Sequence, residues 1–148
     1  MSGATTIRRA ALNDLLAIYD IERKSFNHPY GFVVFLTLLA SPSSLFLVAE
    51  DSGRVVGYAV ARVEERNALL LSIAVHPQHR RRGVGALLLR SIIRQLPEEV
   101  EYLDLQVAVS NSAAISFYEK HGFEKVGKIP RYYKDGEDAY IMRLALTS

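Results

Sequence analysis

The sequence predicts an α/β fold: a mixed, mostly antiparallel sheet of about seven strands with helices on both faces. Three observations predict it. Short runs of Val, Ile, Leu and Ala are separated by turns too short for a crossover, which makes neighbouring strands antiparallel. After Pro77 the apolar spacing switches from strand to helix and back to strand, the pattern of a parallel crossover. The chain has 148 residues, 49% of them hydrophobic and 23% charged, and shows neither repeat nor linker. That is one domain, residues 1–148, with a core of ordinary size.

Taken in order, Thr5 to Arg9 reads as a strand. Asn13 or its neighbour caps a helix running to about Phe26, with Leu12, Leu15, Leu16 and Tyr19 at helical spacing. Asn27 to Gly31 breaks the chain, and Phe32 to Ala40 forms a second helix destined for the core. Leu45–Glu50, Val55–Val63 and Leu69–Val75 form a meander, turned at Asp51–Arg54 and Glu64–Asn67. Gly83 to Leu96 is an amphipathic helix with Val84, Leu87, Leu88, Ile92 and Leu96 on one stripe. It delivers the strand Glu101–Val107 parallel to Leu69–Val75. Ser112 to His121 is a helix closed by Gly122, and Phe123–Gly127 and Ala139–Leu146 are the last strands.

Composition excludes several function classes. The chain has no cysteine, so a disulfide scaffold, a thiolate zinc site, an iron–sulfur cluster and a cysteine nucleophile are all out. The longest near-apolar run, Phe32 to Ala40, falls well short of the ~18 residues a membrane span needs. The first residues lack the basic-then-apolar build of a signal peptide. These features predict a soluble cytoplasmic protein without a membrane partner. Eighteen basic against sixteen acidic residues give a net +2, too mild to indicate nucleic acid. The one dense cluster, Arg80-Arg81-Arg82, is short and has no interleaved aromatics.

That cluster has a local purpose. Ile73-Ala74-Val75 leads through His76-Pro77 into Arg80-Arg81-Arg82-Gly83-Val84-Gly85-Ala86, and a helix opens there. Gly83 and Gly85 permit unusual backbone angles and close approach, so several N–H groups point into one concavity. The positive end of the helix dipole adds to them, which makes a site for a phosphate or pyrophosphate. No Gly-Lys-Ser/Thr follows, so it is not a Walker loop, and the third glycine of the dinucleotide fingerprint is missing.

Arg80-Arg81-Arg82-Gly83-Val84-Gly85 resembles the Q/R-x-x-G-x-G/A signature of the GNAT superfamily of acetyltransferases. Asn111-Ser112-Ala113-Ala114-Ile115-Ser116-Phe117-Tyr118-Glu119-Lys120-His121-Gly122-Phe123 resembles the superfamily's second block, N-x-x-A-x-x-x-Y-x-x-x-G-F. Arg131-Tyr132-Tyr133-Lys134-Asp135-Gly136 is similar to the final hairpin loop of the RimI-like and related protein N-terminal acetyltransferases. The resemblance implies acetyl-CoA as cosubstrate and no metal. Its pyrophosphate would lie on the amides from Arg81 to Ala86, and its pantetheine arm along Ile73 and Val75. Asn111 would meet the coenzyme arm, and Tyr118 would return a proton to the leaving thiolate. Phe26, His28, Pro29 and Tyr30 would form one wall of a peptide groove, and Tyr132 and Tyr133 the other.

The sequence departs from these relatives at the base. RimI-like enzymes place Glu, and others His, where this chain has Gln106; Leu69 falls on a second relay position. Neither side chain can accept a proton from an amine. Glu64, Glu65 and His28 are the alternative proton acceptors. Three readings stand open: a protein N-terminal acetyltransferase, working as a monomer or homodimer; an acetyltransferase for a small amine or a lysine side chain; and a coenzyme-binding module with weak turnover.

Overall fold

A computed structural model describes residues 5–146. Its strands are β1 (Thr6–Arg9), β2 (Ser44–Asp51), β3 (Arg54–Glu64), β4 (Asn67–Val75), β5 (Tyr102–Ala108), β6 (Glu124–Ile129) and β7 (Ala139–Ala145). The helices are α1 (Leu15–Ser25), α2 (Phe32–Ala40), α3 (Val84–Gln95) and α4 (Ser112–Lys120). One seven-stranded sheet runs in the order β1-β2-β3-β4-β5-β7-β6. Every pairing is antiparallel except β4 with β5, which is parallel. The expected fold class and element order are those observed.

Two apolar clusters hold the layers together. On one face α3 and α4 bury Leu88, Leu89, Ile92 and Ile115 against Leu47, Leu70, Leu103, Leu105 and Met142. On the other, α1 and α2 bury Leu15, Ile18, Ile21, Phe35 and Leu38 against Phe46, Val48, Tyr58 and Val60. Gly57 lets α3 approach the sheet closely: a Cβ there would meet the Ala74 carbonyl at 3.0 Å and the Leu88 side chain at 3.1 Å.

The structure corrects the N-terminal helix. Asn13 lies in a single 3-10 turn, and its neighbour Asp14 holds the N-cap position of α1, which begins only at Leu15. Asp14 organises the entry instead, accepting the Ala11 N–H at 2.7 Å and a two-pronged Arg8 contact at 2.8 and 3.0 Å. The buried stripe is Leu15, Ile18, Ile21 and Glu22, while Leu12 and Leu16 are 67% and 74% exposed. Leu12 and Leu16 belong to the solvent face because the helix starts later than the leucine spacing suggests. The second helix is not a fully buried one either: Val33 and Leu36 face outward, and only Phe35 and Leu38 enter the core. In α3, Leu89 and Ser91 are buried in addition to Val84, Leu88 and Ile92, and Leu87 is half-buried.

Two irregularities shape the site. β4 and β5 pair only from Asn67–Leu70 against Tyr102–Leu105. Beyond Leu70 the strands part: β4 keeps only its β3 edge, and Gln106 to Ala108 of β5 keep only their β7 edge. A bulge at the same place lets Leu71 stand opposite no residue of β3: Ala61 pairs Leu70 and Val60 pairs Ser72. One extra residue reverses the alternation of side chains. Ala68 and Leu70 lie with the α3 cluster before it, Ile73 and Val75 after it, and Ser72 turns toward α1.

Candidate active site

The parted strands open a cleft of about 600 Å³. Its walls are Ile73, Ala74 and Val75 of β4, Gly83, Val84, Gly85 and Ala86 at the start of α3, and Ala113, Ala114, Phe117, Tyr118, Lys120 and His121 on α4. Arg80, Arg81, His79, Ser25 and Phe26 complete it.

The α3 entrance has the geometry expected of an anion cradle. Arg81 and Gly83 both have positive φ, 65° and 79°, so the chain alternates handedness as it enters the helix. Such alternation turns successive N–H groups the same way. The first helical bond runs from the Leu87 N–H to the Gly83 carbonyl at 3.0 Å, which leaves the amides of Val84, Gly85 and Ala86 as the free donors of the first turn. A Cβ on Gly85 would touch only the Phe117 ring and Val75 at 3.6–3.8 Å, so glycine there keeps the cleft floor low rather than relieving strain.

Other sequence-predicted residues divide. Arg80 lines the cleft, but its guanidinium folds back: Nε donates to the Val75 carbonyl at 3.0 Å and an Nη to Ser25 Oγ at 3.1 Å. Ser25 in turn donates to the Ile21 carbonyl at 2.6 Å. Arg80 thus ties the end of β4 to the end of α1. Arg82 is exposed and does not line the cleft. Asn111 lies outside the lining too; its Oδ1 accepts the Ala114 N–H at 3.2 Å and caps α4. Tyr118 does line it, with Phe117 and Phe123 rings edge-on at 5.4 and 5.5 Å. Burial pushes its phenol well above the ordinary value, and the neighbouring Tyr133 adds to this, so the hydroxyl keeps its proton.

Gln106 sits on β5 opposite Ile141 of β7, outside the cleft lining. Leu69, Glu64 and Glu65 line a separate recess with Asp104, so the fold does not bring them to the cleft. Of the expected peptide-groove residues, Phe26 reaches the cleft directly. His28 stacks on Tyr133 at 5.0 Å, Tyr132 meets Tyr133 edge-on at 5.0 Å, and Tyr30 meets Phe35 edge-on at 6.1 Å. Burial and the Tyr132 ring push Tyr133 up to about 12, and burial raises Tyr30 as well. Pro29 is exposed in the same loop.

Sequence reasoning missed a buried carboxylate. Glu22 is 2% exposed and accepts three hydrogen bonds. The hydroxyls of Tyr58 and Ser72 both donate to its Oε1, Ser72 at 2.8 Å, and the Tyr30 N–H donates to Oε2 at 2.9 Å. Tyr58 is fully buried, and burial together with Glu22 pushes its phenol far up. The signal was a charged residue on the stripe Leu15-Ile18-Ile21-Glu22, hidden because the stripe was phased on Leu12 and Leu16. Among the described residues no group of three His, Cys, Asp or Glu could hold a metal ion.

A sheet that parts beside a glycine-rich helix start, with a protonated tyrosine across the cleft, defines an acyl-coenzyme-binding transferase. Residues 15–123 match the acetyltransferase (GNAT) family, and the chain belongs to it. It is 38% identical to an N-alpha-acetyltransferase of Sulfurisphaera tokodaii, over 95% of this chain and 92% of that one. The crystal structure of the ribosomal-protein-S18-alanine N-acetyltransferase from Escherichia coli superposes with a TM-score of 0.89 at 34% identity, covering 98% and 96% of the two chains. That of Ard1 from Thermoplasma volcanium gives 0.92 at 31%, covering 99% and 100%.

Proposed function

We propose that this protein transfers the acetyl group of acetyl-CoA to the α-amine at the N-terminus of a protein, acting in the cytoplasm as a one-domain monomer or homodimer. The cleft supports it above all: it joins an amide cradle for a pyrophosphate to an unpaired strand edge that can bond a pantetheine arm. Bound acetyl-CoA supplies an activated acetyl carbon on a good leaving group. The amides from Arg81 to Ala86 hold the pyrophosphate, Ile73 and Val75 align the arm, and the free Asn111 amide group contacts it. Tyr118 hands its proton to the departing thiolate. With no cysteine to form an acyl-enzyme, the acceptor's neutral amine attacks the acetyl carbon directly, the carbon–sulfur bond breaks and the amine's surplus proton passes to solvent, with Phe26, His28, Pro29, Tyr30, Tyr132 and Tyr133 holding the acceptor.

Gln106 cannot serve as base, and Glu22 has three donors on it already, which makes it an anchor for the Tyr30 loop. The acceptor chemistry removes the difficulty. An α-amine has a pKa near ~7.7–8.0, so roughly a tenth is neutral at pH 7, whereas a lysine amine near ~10.4 is almost wholly charged. An enzyme with a weak base therefore loses little on N-termini and much on lysines. A peptide library read by mass spectrometry tests the proposal. Free-amine peptides become acetylated, while amine-blocked peptides bearing lysine do not; the reverse preference would transfer the function to side chains.

A further inference from the structure

Past Leu70, β4 is held by β3 alone. The His76 N–H donates to the Val56 carbonyl at 2.7 Å. In the antiparallel register this turns the backbone groups of Ser72 and Ala74 toward β3, and those of Ile73 and Val75 toward the parted side. The edge proposed for the pantetheine arm is therefore a strand with one neighbour. α1 supports it at two further points. At the near end, Glu22 Oε1 accepts the Ser72 hydroxyl at 2.8 Å, directly after the bulge residue Leu71. The Tyr58 hydroxyl of β3 donates to the same oxygen, so one carboxylate ties both strands to α1. At the far end, Arg80 Nε donates to the Val75 carbonyl at 3.0 Å and an Nη to Ser25 Oγ at 3.1 Å. The Ser25 proton is committed to the Ile21 carbonyl at 2.6 Å, which leaves the oxygen's lone pairs for Arg80. Glu22 and Ser25 are one turn apart on α1, as Ser72 and Val75 are neighbouring supports on β4. Three helical residues advance about 4.5 Å and three strand residues about 10 Å, and the long Arg80 side chain spans the difference.

We infer that Glu22 and Ser25 are positioning residues for the coenzyme arm: acting through Ser72 and Arg80, they splint the released segment of β4 at its two ends. The inference rests on the proposed coenzyme site and goes beyond it, and it does not depend on which acceptor is used. A segment with a single strand neighbour opens easily, and an arm that bonds it must then order it first. The splint removes that cost before the arm arrives. Arg80 also sets where the edge stops. With the Val75 carbonyl taken, this stretch offers an arm the N–H and carbonyl of Ile73 and the N–H of Val75. In this role the loss of Arg80 is felt by the arm, whereas the loss of a phosphate ligand would be felt by the pyrophosphate end.

The experiment is titration calorimetry of the full chain with two probes: CoA, and adenosine 3′,5′-bisphosphate, which keeps the nucleotide end and lacks the arm. Ser25→Ala and Ser72→Ala each weaken CoA about fivefold and leave the bisphosphate affinity at wild type. Ser25→Thr keeps the hydroxyl and restores CoA. Arg80→Met keeps the stem, loses both bonds and weakens CoA about tenfold, again without effect on the bisphosphate. Ser25 is half-buried at the end of its helix, so Ser25→Ala leaves the core intact and tests the splint even where Ser72→Ala fails to fold. Hydrogen exchange without ligand accompanies the titrations, and the His76 amide exchanges faster in Ser25→Ala and Arg80→Met. CoA affinity at the wild-type level in Ser25→Ala overturns the inference, whatever the exchange shows. Equal loss of both probes in Arg80→Met overturns it too, and makes Arg80 a phosphate ligand. Wild type that binds neither probe overturns the coenzyme site and the inference with it, whereas wild type that binds CoA but acetylates no free N-terminus overturns the proposed acceptor alone.

Discussion

The two sides of the cleft are built by different means. The side proposed for the coenzyme, from Ile73 to Ala86, is a stretch of backbone: free amides, positive φ at Arg81 and Gly83, and a strand edge released where β4 leaves β5. The side proposed for the acceptor is assembled from side chains of distant segments: Glu22 with Tyr58 and Ser72, and His28 with Tyr133 and Asp135. A backbone site tolerates changes of side chain that do not alter φ or fill the floor. A side-chain site fails at any one member, because each donor or ring left behind loses its partner. Arg80 joins the two, from the Val75 carbonyl to Ser25 at the end of α1.

The largest expected effect breaks the backbone side. Gly83→Val with Gly85→Val forces a branched side chain to φ +79° and fills the floor beside Phe117. Acetyl-CoA affinity falls at least ~100-fold, equivalent to roughly 2.7 kcal/mol, and the thermal shift produced by acetyl-CoA vanishes. A shift of wild-type size in the double variant would remove the amide cradle from the account.

Next comes the side-chain side. Glu22→Gln keeps the shape but turns an NH₂ group toward one of three donors, leaving a buried N–H or O–H unpaired. The cost is about 2 kcal/mol in urea denaturation, with a raised peptide KM. Equal stability of variant and wild type would show that the network is dispensable.

A third effect, about tenfold for each pH unit below the amine's pKa, separates acceptor from donor by pH. Loss of the amine's proton raises the rate from pH 6 toward 9, steepest below the amine's pKa of ~8. Tyr118 adds no falling limb in that range, because its raised pKa keeps the hydroxyl protonated throughout. Gln106→Glu is expected to be faster than wild type near neutrality. A wild-type profile flat from pH 6 would mean that a competent base exists.

The smallest lies outside both sides. The Arg8 guanidinium holds the Asp14 carboxyl below the usual carboxylate range. A depressed pKa contributes stability that is complete above the ordinary value of ~3.9 and disappears as pH falls through the folded one. Asp14→Asn therefore costs about 1 kcal/mol at pH 7, and the gap from wild type closes in acid. Denaturation at pH 7 and pH 3 checks this, with coenzyme affinity unchanged.

The sequence by itself determined the element order, the parallel crossover and the glycine-bearing turn that opens α3. All three are written in contiguous residues: Leu69 to Val75 is a short, nearly continuous apolar run, Arg80 to Gly85 carries its glycines in place, and Val84 to Ile92 repeats at helical spacing. It also placed Asn111 at the start of α4 and Tyr118 on it, since both fall within one local motif; that Asn111 caps the helix came from the structure. Tertiary structure decided the rest. The true phase of α1 depends on where Asp14 is held by Arg8, a contact between elements, so the buried Glu22 could not be read from leucine spacing. The bulge at Leu71, which turns Ser72 toward Glu22, follows from the register with β3. Arg80 reads as a cation for phosphate, yet here it is spent on Val75 and Ser25 because the fold brings the end of α1 beside β4. Local periodicity reports which way a side chain points along its own element. Which partner it finds is set by how the layers pack, and the acceptor side is made almost entirely of such partners.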